Sequence, residues 1–397
     1  MMIMTTTPAT AERPLPGTRR TIQLGIAGGA LALCVLLLPR QLCGQGADRL
    51  FAGELAAQQA AARAVARAMT PNDSGKPRAA RAAASGRSDG QAAIALYQMT
   101  ILGLGQIVRE HPEARDAYLP AMRAAAARMV DPRALGYAAQ RWGQHGIEQM
   151  RPGEGHAYLG YINLALGMLR AVDPGTPYAA LHDRLTAALA ERLAQSPTGL
   201  VETYPGETWP PDVAAVAGSI GLHAAVTGTD RRELLATWAA RFTRCAVSAS
   251  GYLVQRVRSK TCTPIDAPRG SGTALASYFI GFADAALSRR LYEALRTNGR
   301  INVLGFSGVR EYLDARGPGD GDTNSGPILL GASVGATGWA LGAARANGDG
   351  EFFRELHRSA TAGRAMLGER RLARITRFPE LADAMLLAMV TANRIEN

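Results

Sequence analysis

Two kinds of helical pattern alternate along this chain. In the first kind, Val, Ala, Gly, Ser and Ile occupy every side of the helix, which predicts a helix with neighbours all around it. In the second kind, apolar positions recur on one face only, which predicts a helix that packs on one side. The small-residue stretches begin near residues 91, 156, 212, 271, 327 and 379, roughly 52 to 65 residues apart. This recurrence indicates a repeated unit of two helices.

The alternation predicts an all-α fold, an (α/α)6 barrel with six inner and six outer helices. Residues 47–69, rich in Ala and Arg, supply the first outer helix, and the polar residues 71–90 form a flexible linker or loop. An open solenoid of helix pairs is the structural alternative, although a solenoid does not need acidic residues ahead of each inner helix. We therefore expect one barrel domain over residues 47–397.

An uncharged apolar run covers residues 21–39, after Arg20 and before Arg40. It is long enough to span a bilayer, and the preceding arginines predict that residues 1–20 form a cytoplasmic tail. We expect a transmembrane anchor in the inner membrane, with the barrel on the exported side, periplasmic or extracellular. A signal peptide cleaved near Gly44, followed by secretion, is the alternative.

Charge and cysteine content narrow the class of protein. The formal net charge is +11, but the basic residues are scattered and not interleaved with aromatics, so no nucleic-acid partner is predicted. Cys245 and Cys262 flank GYLVQRVR, an alternating stretch that predicts a hairpin, and they form either a disulfide or two free thiols. Neither has a His or Cys at ligand spacing, so no metal is predicted. Signature loops for nucleotides, zinc proteases and serine hydrolases are missing, and no cofactor is predicted.

Candidate chemistry lies in the loops that precede the inner helices. All inner helices of an alternating barrel run the same way, so these loops meet at one mouth. The loop of residues 199–212 is the richest in acids and aromatics. Within it, Glu207 beside Trp209 suits either a general acid in a low-polarity wall or a solvated carboxylate. Asp212 suits a helix cap, an acid/base residue, or both.

The same loops carry further aromatic and imidazole candidates. His156, at a helix start, suits either a catalytic base or a neighbour of the helix cap. Tyr158 and Tyr161 enter the inner helix and point either into a cavity or into the core, where one hydroxyl finds a partner. Tyr204 and Trp209 are further candidates for substrate contact.

Charged residues complete the predicted mouth. Arg269 suits an ion pair with Asp266 or the binding of an anionic substrate. Asp320 and Asp322 lie in a Gly-rich run that lacks the downstream Glu of an EF-hand, so a turn rich in Asx hydrogen bonds is favoured over a calcium loop.

The chain resembles the linalool dehydratase/isomerase family in the order of three stretches, LGYINLALGMLRAV, SPTGLVETYPGETWPPDVAAVAGSIGLHAAVTGTD and GDGDTNSGPILLGASVGATGWALGAARANGD. The resemblance implies an exported (α/α)6 barrel that hydrates or dehydrates a monoterpene alcohol without a cofactor. In this chain Tyr161 stands where the family has an active-site histidine. The family's two active-site cysteines fall at Thr203 or Tyr204 and at Asp212, and its active-site tyrosine falls near Ser271. None of these residues is retained.

Three hypotheses of function follow. The first is an acid/base lyase or isomerase for a small, largely apolar alcohol or terpenoid, in which Asp212 and Glu207 form the pair, helped by Tyr161, His156 and Asp266. The second is a glycan-processing hydrolase that uses a carboxylate pair. The third is a non-catalytic barrel that binds a lipid or a partner, with homo-oligomerisation open. A pocket of mainly aliphatic side chains favours the first hypothesis over the second.

Overall fold

The structure is a computed structural model that describes residues 41–70, 87–143, 147, 156–314, 321–322, 325–376 and 379–393. The predicted N-terminal tail and apolar run, and most of the predicted linker, lie outside these residues. The helices are α1 (Ala47–Ala52), α2 (Leu55–Met69), α3 (Arg87–Glu110), α4 (Arg115–Met129), α5 (Pro132–Trp142), α6 (Tyr158–Val172), α7 (Ala179–Gln195), α8 (Pro210–Thr227), α9 (Arg232–Ala246), α10 (Gly270–Ile280), α11 (Ala285–Ala294), α12 (Val334–Ala346), α13 (Gly350–Thr376) and α14 (Pro379–Val390). The strands are β1 (Arg300–Val303), β2 (Phe306–Arg310), β3 (Ile328–Leu329) and β4 (Ala332–Ser333).

The inner helices form a closed ring. Helices α3, α6, α8, α10, α12 and α14 pack against one another in this order, and α14 packs back against α3. Helices α2, α4, α7, α9, α11 and α13 pack outside this ring. The described part of the chain is therefore the predicted (α/α)6 barrel, and the closed ring excludes the open solenoid.

Small residues let the inner helices approach closely. A Cβ added to Gly218 on α8 would lie 2.3 Å from the carbonyl oxygen of Phe279 on α10. A Cβ on Gly103 of α3 would lie 3.0 Å from the backbone nitrogen of Ala388 on α14. Real Cβ atoms do not occupy such positions, so glycine is required where these helices cross.

A buried arginine ties the ends of the ring together. Arg345 on α12 is 1% exposed. Its guanidinium donates to the carbonyl oxygens of Leu50 at 3.1 Å and Thr391 at 3.0 Å, and it forms an ion pair with Glu110 at 2.9 Å. A buried charge is tolerated when it is paired and hydrogen-bonded in this way, so Arg345 links α1, α3, α12 and the segment after α14.

The structure differs from the sequence-based prediction in four places. The predicted first outer helix is interrupted at Gly53, whose φ of 79° ends α1 before α2 begins. Helix α5 was not predicted. The fifth small-residue stretch starts as strands, so α12 begins at Val334 and not near residue 327. The strands form one antiparallel sheet in the order β1-β2-β4-β3, and the predicted hairpin over GYLVQRVR is a set of isolated bridges.

One described helix, Gly90–Glu110, is long and apolar enough to cross a membrane. Most of it is buried inside the barrel, because it belongs to α3 and forms part of the inner ring.

Candidate functional site

A cavity of about 1090 Å³ opens at the end of the barrel where the inner helices begin. Tyr158 and Tyr161 of α6, Asp212 of α8 and Ser271 of α10 line it. The greater part of the wall is aliphatic, and its members include Met99, Leu275, Ile301, Val334, Leu381, Met385, Leu386 and Met389. The cavity therefore presents a few polar groups in a mainly apolar surface, the usual composition of a small-molecule site.

Asp212 is the centre of the polar part of this wall. Its carboxylate accepts a hydrogen bond from the Tyr161 hydroxyl and another from the Thr203 hydroxyl, at 2.7 Å. The residue at the cap position of α8 is Trp209, so Asp212 lies inside the first turn and does not cap the helix. There the carboxylate also benefits from the positive end of the helix dipole. Asp212 thus combines two hydroxyl donors with a place at the cavity wall.

Tyr158 and Tyr161, beside Asp212, stay protonated. The ring of Tyr158 lies 6.4 Å from that of Tyr161 and 5.7 Å from that of Tyr204. Burial, and then the Asp212 carboxylate, raises the pKa of Tyr161 well above its ordinary value. Burial is also the main cause that raises the pKa of Tyr158. The Tyr161 hydroxyl therefore acts as a hydrogen-bond donor that keeps its proton.

Glu207 lies apart from the cavity. Its carboxylate forms an ion pair with Arg141 at 3.2 Å and accepts from the Trp209 indole nitrogen at 3.4 Å. Trp209 itself lines the cavity, and the Arg256 guanidinium lies 5.5 Å from its ring centroid. Of the predicted acid/base pair, the structure places only Asp212 among the described residues that line the cavity.

His156 is buried beside the site and does not line the cavity. Its ring stacks on Trp142 at 4.9 Å, and its Nδ1 has no hydrogen-bond partner among the described residues. Burial lowers the pKa of His156 to about 3, so the ring is neutral near pH 7. Packing on Trp142 accounts for its position, and its role as a base stays a prediction.

Arg269 pairs with other carboxylates than the predicted Asp266. Its guanidinium forms ion pairs with Asp322 at 2.5 Å and with Glu311 at 3.3 Å. Asp266 instead lies 3.5 Å from Arg256. Asp322 lines the cavity and accepts from the Ser325 backbone N–H at 2.9 Å, which is the Asx turn that the sequence favours.

The structure adds Glu311, which the sequence did not single out, and gives a contact to Ser271, which the sequence marked only as the position near the family's tyrosine. The Ser271 hydroxyl donates to the fully buried Glu311 carboxylate at 2.6 Å, and Arg269 lies against the same carboxylate. Burial raises the pKa of Glu311, and the bonds from Ser271 and the charge of Arg269 oppose that rise. Glu311 follows the end of β2 without any motif, so only the fold brings it to the start of α10.

Cys245 and Cys262 form a disulfide, with their Cα atoms 4.9 Å apart. The bond closes the segment that carries Gln255 and Arg256, two polar residues of the cavity wall. Of the two alternatives that the sequence left open, the structure contains the crosslinked one.

One group of described side chains has donor atoms close enough to hold a metal ion. His182, Asp183 and His223 bring theirs within 4.8 Å of one another. Asp183 already forms an ion pair with Arg170 at 2.5 Å and a hydrogen bond with the His223 ring at 2.8 Å. The group lies between α7 and α8 and does not line the cavity.

The fold and the cavity together define an (α/α)6 barrel with an apolar pocket at the loop end. No protein-family model matches the chain, and no curated protein matches it in sequence. Among solved structures, it is similar to a polysaccharide lyase at 14% identity, over 68% of this chain and 90% of that one, with a TM-score of 0.35. It is also similar to a family 88 glycosyl hydrolase from Bacteroides vulgatus at 11% identity, over 81% of this chain and 90% of that one, with a TM-score of 0.40.

Neither of these proteins is a linalool dehydratase, so the resemblance drawn from the sequence finds no support in the comparisons. Likeness at this level carries no conclusion about the reaction or the substrate.

Proposed function

We propose that this barrel is an acid/base enzyme that dehydrates, hydrates or isomerises a largely apolar molecule bearing a hydroxyl group. The observation that carries the proposal is the Asp212 carboxylate, held by Tyr161 and Thr203 at the wall of a mainly aliphatic cavity. A carboxylate in such surroundings can transfer protons because water is scarce and its orientation is fixed.

The proposed step moves one proton and breaks one C–O bond. Asp212 removes a proton from the carbon next to the hydroxyl-bearing carbon and returns it to the departing oxygen, so an alkene and a water molecule are formed. The Tyr161 hydroxyl, which keeps its proton, donates to the oxygen of Asp212 or of the substrate as charge develops. The reverse sequence adds water, and addition of the water with its hydroxyl on another carbon gives an isomeric alcohol.

The cavity wall supports an apolar substrate. Aliphatic side chains from α3, α10 and α14 face a volume that accommodates a molecule of drug size. Burying such a molecule is favourable by about 25 cal/mol per Å² of apolar surface. Gln91, Gln98 and Gln255 at the same wall can bind one or two polar groups of the molecule.

A glycan-processing hydrolase is the second candidate. A specific observation favours it: Asp212 and Asp322 both line the cavity, together with the Trp209 ring. Most enzymes that hydrolyse a glycosidic bond use a pair of carboxylates. In this candidate the pair is Asp212 with Asp322 and not Asp212 with Glu207.

Product profiling tests both candidates in one experiment. The purified full chain is incubated in detergent with a pool of apolar and terpenoid alcohols and, separately, with a pool of oligosaccharides. The proposal is supported if an alcohol of the first pool is converted and if Asp212→Asn lowers this conversion by about 10²- to 10⁴-fold. Conversion of oligosaccharides that falls in both Asp212→Asn and Asp322→Asn supports the second candidate.

The control is Asp230→Asn, at an exposed carboxylate that pairs with Arg232 at 2.7 Å after the far end of α8. This variant is expected to keep full activity. Activity that survives Asp212→Asn in a folded protein contradicts both candidates.

A further inference from the structure

Exposed apolar side chains surround the opening of the cavity. Val303 and Leu304 form the tip of the β1–β2 hairpin, and Leu329 and Leu330 form the tip of the β3–β4 hairpin. Met366 of α13 lines the same cavity. Their exposed fractions are 53%, 59%, 57%, 89% and 83%, and all except Leu304 line the cavity. We call these five side chains the apolar rim. Large exposed apolar patches of this kind mark interaction sites.

The two hairpin tips keep leucine where the backbone disfavours it. Leu304 has a φ of 53° and Leu330 a φ of 52°, and each precedes a glycine with a φ above 80°. Tight turns with two positive φ angles favour Asn or Asp at the first position, because a branched side chain is strained there. Leucine at both tips costs conformational energy and gains no burial within the barrel. Its benefit must therefore come from something outside the described chain.

The start of the described chain lies beside one of these tips. A Cβ added to Gly44 would lie 3.0 Å from Nε of Arg358, and Nη1 of Arg358 donates to the carbonyl oxygen of Gly305 at 3.0 Å. Gly305 directly follows Leu304 in the turn. The apolar run of residues 21–39 ends only a few residues before Gly44 in the sequence, so the described chain begins, shortly after this run, on the side of the barrel that carries the rim.

A basic side chain accompanies the rim. Nη1 of Arg310 would lie 3.5 Å from a Cβ on Gly331, at the tip next to Leu330, and Arg310 is exposed. Apolar side chains with an adjacent cation match the two layers of a lipid surface, acyl chains below and anionic headgroups above.

We infer that the apolar rim docks onto the lipid bilayer that the run 21–39 enters, so that the cavity opens toward the membrane. The partner is the bilayer surface itself, with Leu304 and Leu330 in the acyl region and Arg310 at the headgroups. This inference concerns the docking surface and does not depend on the reaction proposed above.

Fluorescence quenching by lipids tests the inference with the full chain. The free thiols are removed by Cys34→Ser and Cys43→Ser, and Leu330→Cys is labelled with an environment-sensitive NBD dye. The protein is reconstituted into phosphatidylethanolamine–phosphatidylglycerol liposomes, with or without doxyl-labelled lipid. The matched control is a label at Thr229→Cys, an exposed position after the C-terminal end of α8 and thus at the opposite end of the barrel.

The inference predicts that the label at position 330 emits at shorter wavelength in liposomes and loses most of its intensity to doxyl lipid, while the label at 229 does neither. If the label at position 330 has the same emission wavelength and the same quenching as the label at 229, the inference is wrong. A blue-shifted emission that doxyl lipid leaves unquenched also overturns it, because protein then covers the rim, either a second copy or the run 21–39. A label at Met366→Cys gives the same readout from a helix if the hairpin variant does not fold.

Discussion

Two buried histidines make the barrel sensitive to mild acid. His156 and His182 are 2% and 0% exposed, and burial lowers the pKa of each from 6.5 to about 3. The nearby charge of Arg192 acts in the same direction on His156, as do His223 and Arg170 on His182. The folded protein thus keeps both rings neutral under conditions in which the unfolded chain protonates them.

The size of the effect follows from proton linkage. A depressed folded-state pKa contributes stability that is complete above the unfolded value of 6.5 and is lost as the pH falls toward 3. A pH of 5 lies 1.5 units below the pKa of a histidine in the unfolded chain. At about 1.36 kcal/mol per unit, protonation stabilises the unfolded chain by about 2 kcal/mol per ring. The two rings together lower the free energy of unfolding by about 4 kcal/mol between pH 7 and pH 5.

Urea unfolding followed by tryptophan fluorescence measures this loss in the full chain, in detergent at pH 7 and pH 5. The variants His156→Phe and His182→Phe each reduce the pH-dependent loss by about 2 kcal/mol, whatever they do to stability at pH 7. Thr229→Ser, which removes no titratable group, keeps the loss of the parent protein. A loss that stays the same in both histidine variants refutes the reasoning, because protonation of other groups must then cause it.

Two further predictions concern the packing of the ring. Gly218→Ala places a Cβ 2.3 Å from the backbone oxygen of Phe279 and is expected to lower the melting temperature strongly. In the control variant Gly136→Ala, the new Cβ meets no atom within 4 Å, so this variant is expected to stabilise the helix by up to about 1 kcal/mol. Arg345→Met removes the donor of three buried carbonyl oxygens, those of Leu50, Thr391 and Ala392. At about 1 to 3 kcal/mol for each unsatisfied group, it costs about 3 to 5 kcal/mol in urea unfolding. Arg354→Met, at an exposed ion pair, costs less than about 1 kcal/mol. Equal effects within either pair would contradict the packing described for the ring.

The helix repeat can be predicted from sequence because each inner helix carries the same local signal. Small residues on every face and a break of Pro, Gly or Asp at each end are visible without any tertiary information. The sheet cannot be predicted this way, because β3 and β4 are two residues each and their apolar residues continue the pattern of α12. Pairing of β4 with β2, which is a tertiary contact, and of β3 with β4 decides that Ile328 and Leu329 form a strand.

The residues of the candidate site also differ in how well they can be predicted from the sequence. Asp212 can be found from sequence because it stands out as a carboxylate at the start of an apolar helix. Glu207 resembles it in sequence, but the ion pair with Arg141, 66 residues away, holds it outside the cavity. Glu311 has no local signal, and its contact with Ser271 spans 40 residues. Long-range ion pairs and hydrogen bonds are the information that the sequence pattern does not contain.

The closure of the ring by α14 determines the order in which the chain can fold. The amide of Gln106 on α3 donates to the carbonyl oxygen of Ala388 on α14, a contact that spans 282 residues. A ribosome produces α3 well before α14, and contacts of such long range form slowly. Throughout synthesis of the intervening helices, the face of α3 that α14 will cover remains exposed, so the growing barrel is an open arc with an unprotected apolar edge. The barrel reaches its full stability only after α14 has been made.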